Sequence, residues 1–90
     1  MFVGAKLEEM GALSSSLSTE AGEVVDLQGR IQGILDGTTW TGAVADEFRN
    51  RWNTEFVGAL TSLTNALNEA SSVVEQRRSA IDQATNVFAG

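Results

Sequence analysis

Apolar residues recur at helical spacing along most of the chain. In the first half Val3, Met10, Leu17, Val24 and Ile31 repeat every seven positions, with Leu7, Leu13, Ala21, Leu27, Ile34 and Leu35 between them. This alternation of three and four predicts an amphipathic helix with a seam toward a partner helix. The second half carries a wider stripe. One line reads Leu60, Leu67, Val74, Ile81, Phe88; a second reads Leu63, Ala70, Arg77, Ala84; a third reads Ala45, Trp52, Ala59, Ala66, Val73, Ala80, Val87. Near its start Val44, Phe48, Trp52 and Phe56 fall four apart, and the three aromatics are expected in a core. Three apolar lines per heptad imply packing against more than one helix.

The break between the halves is Asp36-Gly37-Thr38-Thr39-Trp40-Thr41-Gly42, a cluster of turn formers in a chain without proline. The pattern predicts helix 1 over about 5–36, a turn over about 37–42, helix 2 over about 43–86 and a short C-terminal tail. Glu8 and Glu9, and later Asp46 and Glu47, suit helix N-termini by charge. Gly37 is expected as a left-handed C-terminal cap, and Gly42 as a helix-start glycine using its permissive backbone. Helix 1 also contains Gly11, Gly22, Gly29 and Gly33. Each costs about 0.8–1 kcal/mol relative to alanine, so packing must hold this helix together. Close approach by a neighbouring helix and tolerated surface glycine are both open readings of these four.

The fold class predicted is all-α: an antiparallel helix-turn-helix hairpin that dimerises into a four-helix bundle. Composition strengthens the second step. A chain of 90 residues is marginal alone and needs a staple. It contains neither cysteine nor histidine, which removes disulfides and the commonest metal ligand, so oligomerisation remains. The stripe of Trp52, Leu60, Leu63, Ala66, Leu67 and Val74 is the expected dimer interface. A turn centred near Thr39 and Trp40 sets the start of helix 1 opposite Val74. The segment from Ala80 to Phe88 then extends beyond its own partner helix, and Ile81, Val87 and Phe88 become candidates for C-terminal recognition.

Charge narrows the partners. Twelve acidic and six basic residues give a net charge of −6, which opposes nucleic acid and anionic membrane surfaces. Arg77, on the seam, is expected to snorkel toward Glu8 or Glu9. No chemistry is expected. Ser14, Ser15 and Ser16 have no histidine or cysteine to pair with, and no phosphate loop, cofactor motif or metal-ligand spacing occurs. The chain reads as a non-enzyme without a small-molecule substrate. Met1 to Ala12 has neither a basic stretch nor a long apolar run, so no cleaved signal peptide is expected.

One local string is specific. Trp40-Thr41-Gly42 lies at the hairpin turn, with Phe48 and Trp52 eight and twelve residues after Trp40. In a chain of this length the pattern resembles the Trp-X-Gly (WXG) family of small helical hairpins, and the resemblance covers nearly the whole sequence. It implies export in folded form, as homo- or heterodimers, by a type VII (ESX) secretion system. It further implies a cytoplasmic stage before export and recognition by the ATPase of that system. Trp40 and Gly42 would form the turn half of a bipartite signal. The other half in that family, a C-terminal Tyr-x-x-x-Asp/Glu, is missing, because the chain has no tyrosine; Arg78 and Asp82 have only its spacing. The departure favours a heterodimer whose second WXG-type hairpin supplies the missing half, against the alternative that Val87-Phe88 serves instead. Two rival roles remain: a cytosolic four-helix adaptor, and a membrane-active secreted effector.

Overall fold

The computed structural model describes the backbone of residues 2–89 and side-chain burial for residues 6–84. Helix α1 (Phe2–Gly37) leads through a connection at residues 38–42 into α2 (Ala43–Arg51). A π turn (Trp52–Phe56) then joins α2 to α3 (Val57–Ala89). No strand occurs among the described residues. The helices fold back as an antiparallel hairpin, a rod of 69 × 18 × 14 Å. Its radius of gyration is 20.1 Å, against about 12 Å for a compact domain of this length. Among the described side chains only Ser14, Ala21, Ala45 and Trp52 are buried.

Three polar links fix the register between the two arms. Near the turn, the Trp52 indole N–H donates to Gln32 Oε1 at 2.8 Å. Midway, Ser71 Oγ donates to the Ser14 carbonyl at 2.8 Å, and Ser14 Oγ donates to the Ser71 carbonyl at 3.2 Å. Toward the open end, Arg78 Nε donates to the Leu7 carbonyl at 3.2 Å. Such reciprocal hydroxyl–carbonyl bonds need backbones close together, which the small residues of this seam allow. Gly11 instead leaves room for the Arg78 side chain: a Cβ there would lie 3.2 Å from Arg78 Nε. Gly22, Gly29 and Gly33 have nothing within 4 Å of that position, so packing within this chain does not require them.

The π turn resolves the three apolar lines of helix 2. Ala45 and Trp52 are buried, whereas Ala59, Ala66, Val73 and Ala80 of the same line are exposed. Burial passes instead to Leu60, Leu67, Val74 and Ile81, each half-buried. The step from Trp52 to Leu60 is eight residues rather than seven. A π turn accommodates one additional residue, with the Val57 N–H bonded to the Trp52 carbonyl. Two lines that look separate in the sequence are therefore one packed face.

Four expectations are corrected here. Arg78, not Arg77, occupies the seam, in phase with Thr64 and Ser71, polar positions that a search for apolar lines passes over; Arg77 is exposed. Gly37 is not a left-handed cap, since the only positive φ among the described residues is at Gly42. Thr38 takes over instead, its hydroxyl donating to the Ile34 carbonyl at 2.6 Å and its amide to the Leu35 carbonyl at 3.4 Å. Phe48 is exposed and Phe56 half-buried, so of the three aromatics only Trp52 is core. Finally, the start of helix 1 does not lie opposite Val74, because Leu7 already meets Arg78. Trp52, at the start of the π turn, stands nine residues beyond the first residue of α2, while its partner Gln32 stands five before the end of α1. The connection climbs past the end of α1, which moves the register and shortens the overhang.

Candidate interaction face

Wheel geometry assigns the exposed residues to sides of the rod. Ser14 and Ser71 mark the line of closest approach, with Leu7, Ala21, Gln28 and Leu35 in phase on α1 and Val57, Thr64 and Arg78 in phase on α3. At about 100° per residue, positions three and six further on turn progressively to one side of that line. The two helices run in opposite directions, so both turn to the same side. α1 presents Met10, Leu17, Val24 and Ile31, then Leu13, Glu20, Leu27 and Ile34; α3 presents Leu60, Leu67 and Val74, then Leu63, Ala70 and Arg77. The large apolar residues exposed among the described side chains are Leu13, Val25, Leu27, Ile34, Trp40, Val44, Phe48, Leu63 and Val73. Only Val25 points to the opposite flank. The rod thus has one apolar side, with Ala59, Ala66 and Val73 widening it along the outer edge of α3.

At the turn end this side becomes aromatic. Gly42, with φ 115° and ψ 174°, reverses the chain in a conformation that a side chain would strain. Its carbonyl accepts the Asp46 amide at 3.0 Å to open α2. Arg49 ties the connection down, donating from Nη1 to the Trp40 carbonyl at 2.6 Å and from Nη2 to the Thr38 carbonyl at 3.2 Å. Trp40 itself stays 40% exposed. Its ring lies 5.9 Å from Phe48, which lies 6.2 Å from Phe56. The Arg51 guanidinium sits 5.5 Å over Phe56 and pairs with Glu55 at 3.2 Å. Val44, Glu47, Phe48, Arg51 and Phe56 line an open cleft of about 300 Å³.

The residues singled out in the sequence divide accordingly. Trp40 and Gly42 form the exposed turn. Leu63 and Ala66 lie on the open side. Trp52 is committed to Gln32, and Leu60, Leu67, Val74 and Ile81 are half-buried along the hairpin's own seam, with their outer edges toward the open side. Val87 and Phe88 lie outside the described side chains. The sequence reading missed the contribution of α1, namely Leu13, Leu27 and Ile34, and the cleft around Phe48 and Phe56. The signal available was the eight-residue step from Trp52 to Leu60. Among the described residues no carboxylates gather as a metal site, and no helix is long and apolar enough to cross a membrane. Comparison with protein-family models, with curated proteins and with solved structures gives no match.

Proposed function

We propose that this chain is one half of a helical-hairpin pair: a small protein of a type VII (ESX) secretion system, exported folded through a dimer and acting as a co-secretion partner by protein–protein contact. The observation that carries the reading is an exposed Trp-Thr-Gly turn at one end of a rod whose large apolar residues gather on one side. The rod is 69 Å long, and its exposed large apolar residues run along that length from Leu13 to Trp40 and from Val44 to Val73, the kind of extended surface that marks an interaction site. A single apolar side calls for a single partner layer, which two hairpins stacked as a four-helix bundle supply. The chain's lack of tyrosine favours a non-identical second hairpin carrying the C-terminal half of the signal. Trp40 is the residue offered to the secretion ATPase, and Gly42 sets its presentation.

The test is the culture supernatant of strains with and without the secretion ATPase. The protein should be found outside the first and retained inside the second. Retention in both strains, with pairing intact in the cytoplasm, would replace this reading with that of a cytosolic adaptor. Appearance in both supernatants would remove the ATPase from the account.

A further inference from the structure

We propose that Arg49 is a positioning residue for the exposed tryptophan: its guanidinium holds the backbone at Thr38 and Trp40, so that the Trp40 ring is presented in one place. The role rests on the reading of Trp40 as the export signal.

The connection has little else to hold it. Its backbone bonds are the Thr38 amide on the Leu35 carbonyl and the Asp46 amide on the Gly42 carbonyl. Both belong to the helix ends, and neither involves Thr39, Trp40 or Thr41. Gly42 reverses the chain at φ 115°, but a glycine permits that conformation without enforcing it. The Trp40 ring adds one tilted contact with Phe48 at 5.9 Å. The remaining restraint is Arg49, in the last turn of α2. It donates from Nη1 to the Trp40 carbonyl at 2.6 Å and from Nη2 to the Thr38 carbonyl at 3.2 Å.

Arginine suits this task. A guanidinium is a rigid planar fork that grips two acceptors at once, whereas an ammonium is a point charge on a flexible stem. The cation also faces the C-terminal end of α1, where the helix dipole favours positive charge. Asp46 stands three residues earlier on the same helix, within reach of an ion pair. Yet the ion pairs among the described residues are Arg51 with Glu55 and Arg78 with Glu75. Arg49 gives its charge to the connection instead. Both of its hydrogen bonds are exposed, so water can replace the donors once they are removed. The clamp therefore orders the turn while adding little to the stability of the hairpin.

The experiment uses the whole chain and compares three measurements: ¹⁵N relaxation of the amides at 38–42 and of the Trp40 indole, thermal melting, and secreted fraction. Wild type should give order parameters near about 0.85 across the connection, and Arg49→Met should bring residues 39–41 below about 0.6. The same variant should melt well above Trp52→Ala. Its secreted fraction should fall about fivefold or more, because the presented position becomes one of several. Arg49→Lys, which keeps the charge but not the fork, should fall between the two. Trp40→Ala removes the ring and keeps the clamp, so export should be lost while the connection stays ordered. An Arg49→Met connection as ordered as wild type, or a loosened connection with normal export, would overturn the role. So would melting as early as Trp52→Ala, since Arg49 would then serve the fold, or an Arg49→Lys variant exported no better than Arg49→Met. If Trp40→Ala is exported normally, the signal reading itself has failed and the role of Arg49 falls with it; if Trp40→Ala is retained while Arg49→Met is exported, only the positioning role has failed.

Discussion

The two tryptophans allow stability and recognition to be separated in one experiment. Trp52 is 5% exposed and gives its indole N–H to Gln32 at 2.8 Å. Truncation to alanine removes the largest side chain of the seam at the point where α1, α2 and α3 meet. It also strands a half-buried amide oxygen. Burial of this kind is worth about 3–5 kcal/mol, which for a domain of this size lowers the melting temperature by at least about 12 °C. Trp40 is 40% exposed, and its main link to the fold is a carbonyl held by Arg49, which alanine retains. What it loses is one tilted ring contact with Phe48, worth about 0.5–1.5 kcal/mol. Trp40→Ala should therefore shift the melt by about 2–12 °C, below the shift expected for Trp52→Ala. Circular dichroism melts should be run at matched protein concentration, because the proposed pairing would make the midpoint concentration-dependent. Secreted fractions of both variants should be measured beside them. The expected result is export lost with Trp40→Ala while fold and pairing persist, and fold lost with Trp52→Ala. If Trp40→Ala melts as early as Trp52→Ala, Trp40 closes the end of the rod; if it is exported normally, it is not a signal. Either result refutes the reasoning.

Three further outcomes follow from other parts of the molecule. Leu63→Lys, at a position 47% exposed, should abolish pairing in sedimentation while leaving the single hairpin helical. Ser14→Ala or Ser71→Ala alone strands a partly buried hydroxyl and should cost about 1–3 kcal/mol, whereas the double variant should cost less than the sum in denaturant titration. Gly42→Ala, forced into φ near 115°, should cost about 1–3 kcal/mol in the same titration, with no side-chain clash to blame.

The hairpin was legible because its signals are local and redundant. Glycine and threonine around Trp40 interrupt two long runs of helical spacing, and no proline competes for the break. The lateral placement of residues was less legible. Seven-residue counting carried Trp52 on to Ala59 and Ala66, because nothing in a heptad count allows for one residue too many; it counted Arg77 into the seam because the true line on α3 runs through Thr64 and Ser71, which are not apolar. The shift is visible only as a jump of bulky residues from position 52 to position 60. Gly37 had the right neighbours for a helix cap, but the hydroxyl and amide of Thr38 reach the same carbonyls. The contribution of α1 to the open side was hidden for another reason. Its line of closest approach runs through Ser14, Ala21 and Gln28, so small and polar residues face the neighbouring arm while Leu13, Leu27 and Ile34 turn away. Hydrophobicity alone ranks these positions in the reverse order.

The three links between the arms also dictate an order of assembly. Gln32 and Trp52 are separated by 20 residues, Ser14 and Ser71 by 57, Leu7 and Arg78 by 71. Closing the outer links first would demand large loops, whereas closing the innermost leaves each next link only a short segment to bring in. The arms should zip from the turn outward, and loosening should travel the other way. Residues 2 and 89 lie at the same end of the rod, so tension applied between them loads one rung at a time. The molecule would resist crushing along its length far better than peeling from its open end, and a second hairpin laid across both arms turns that peeling load into one shared along the whole face.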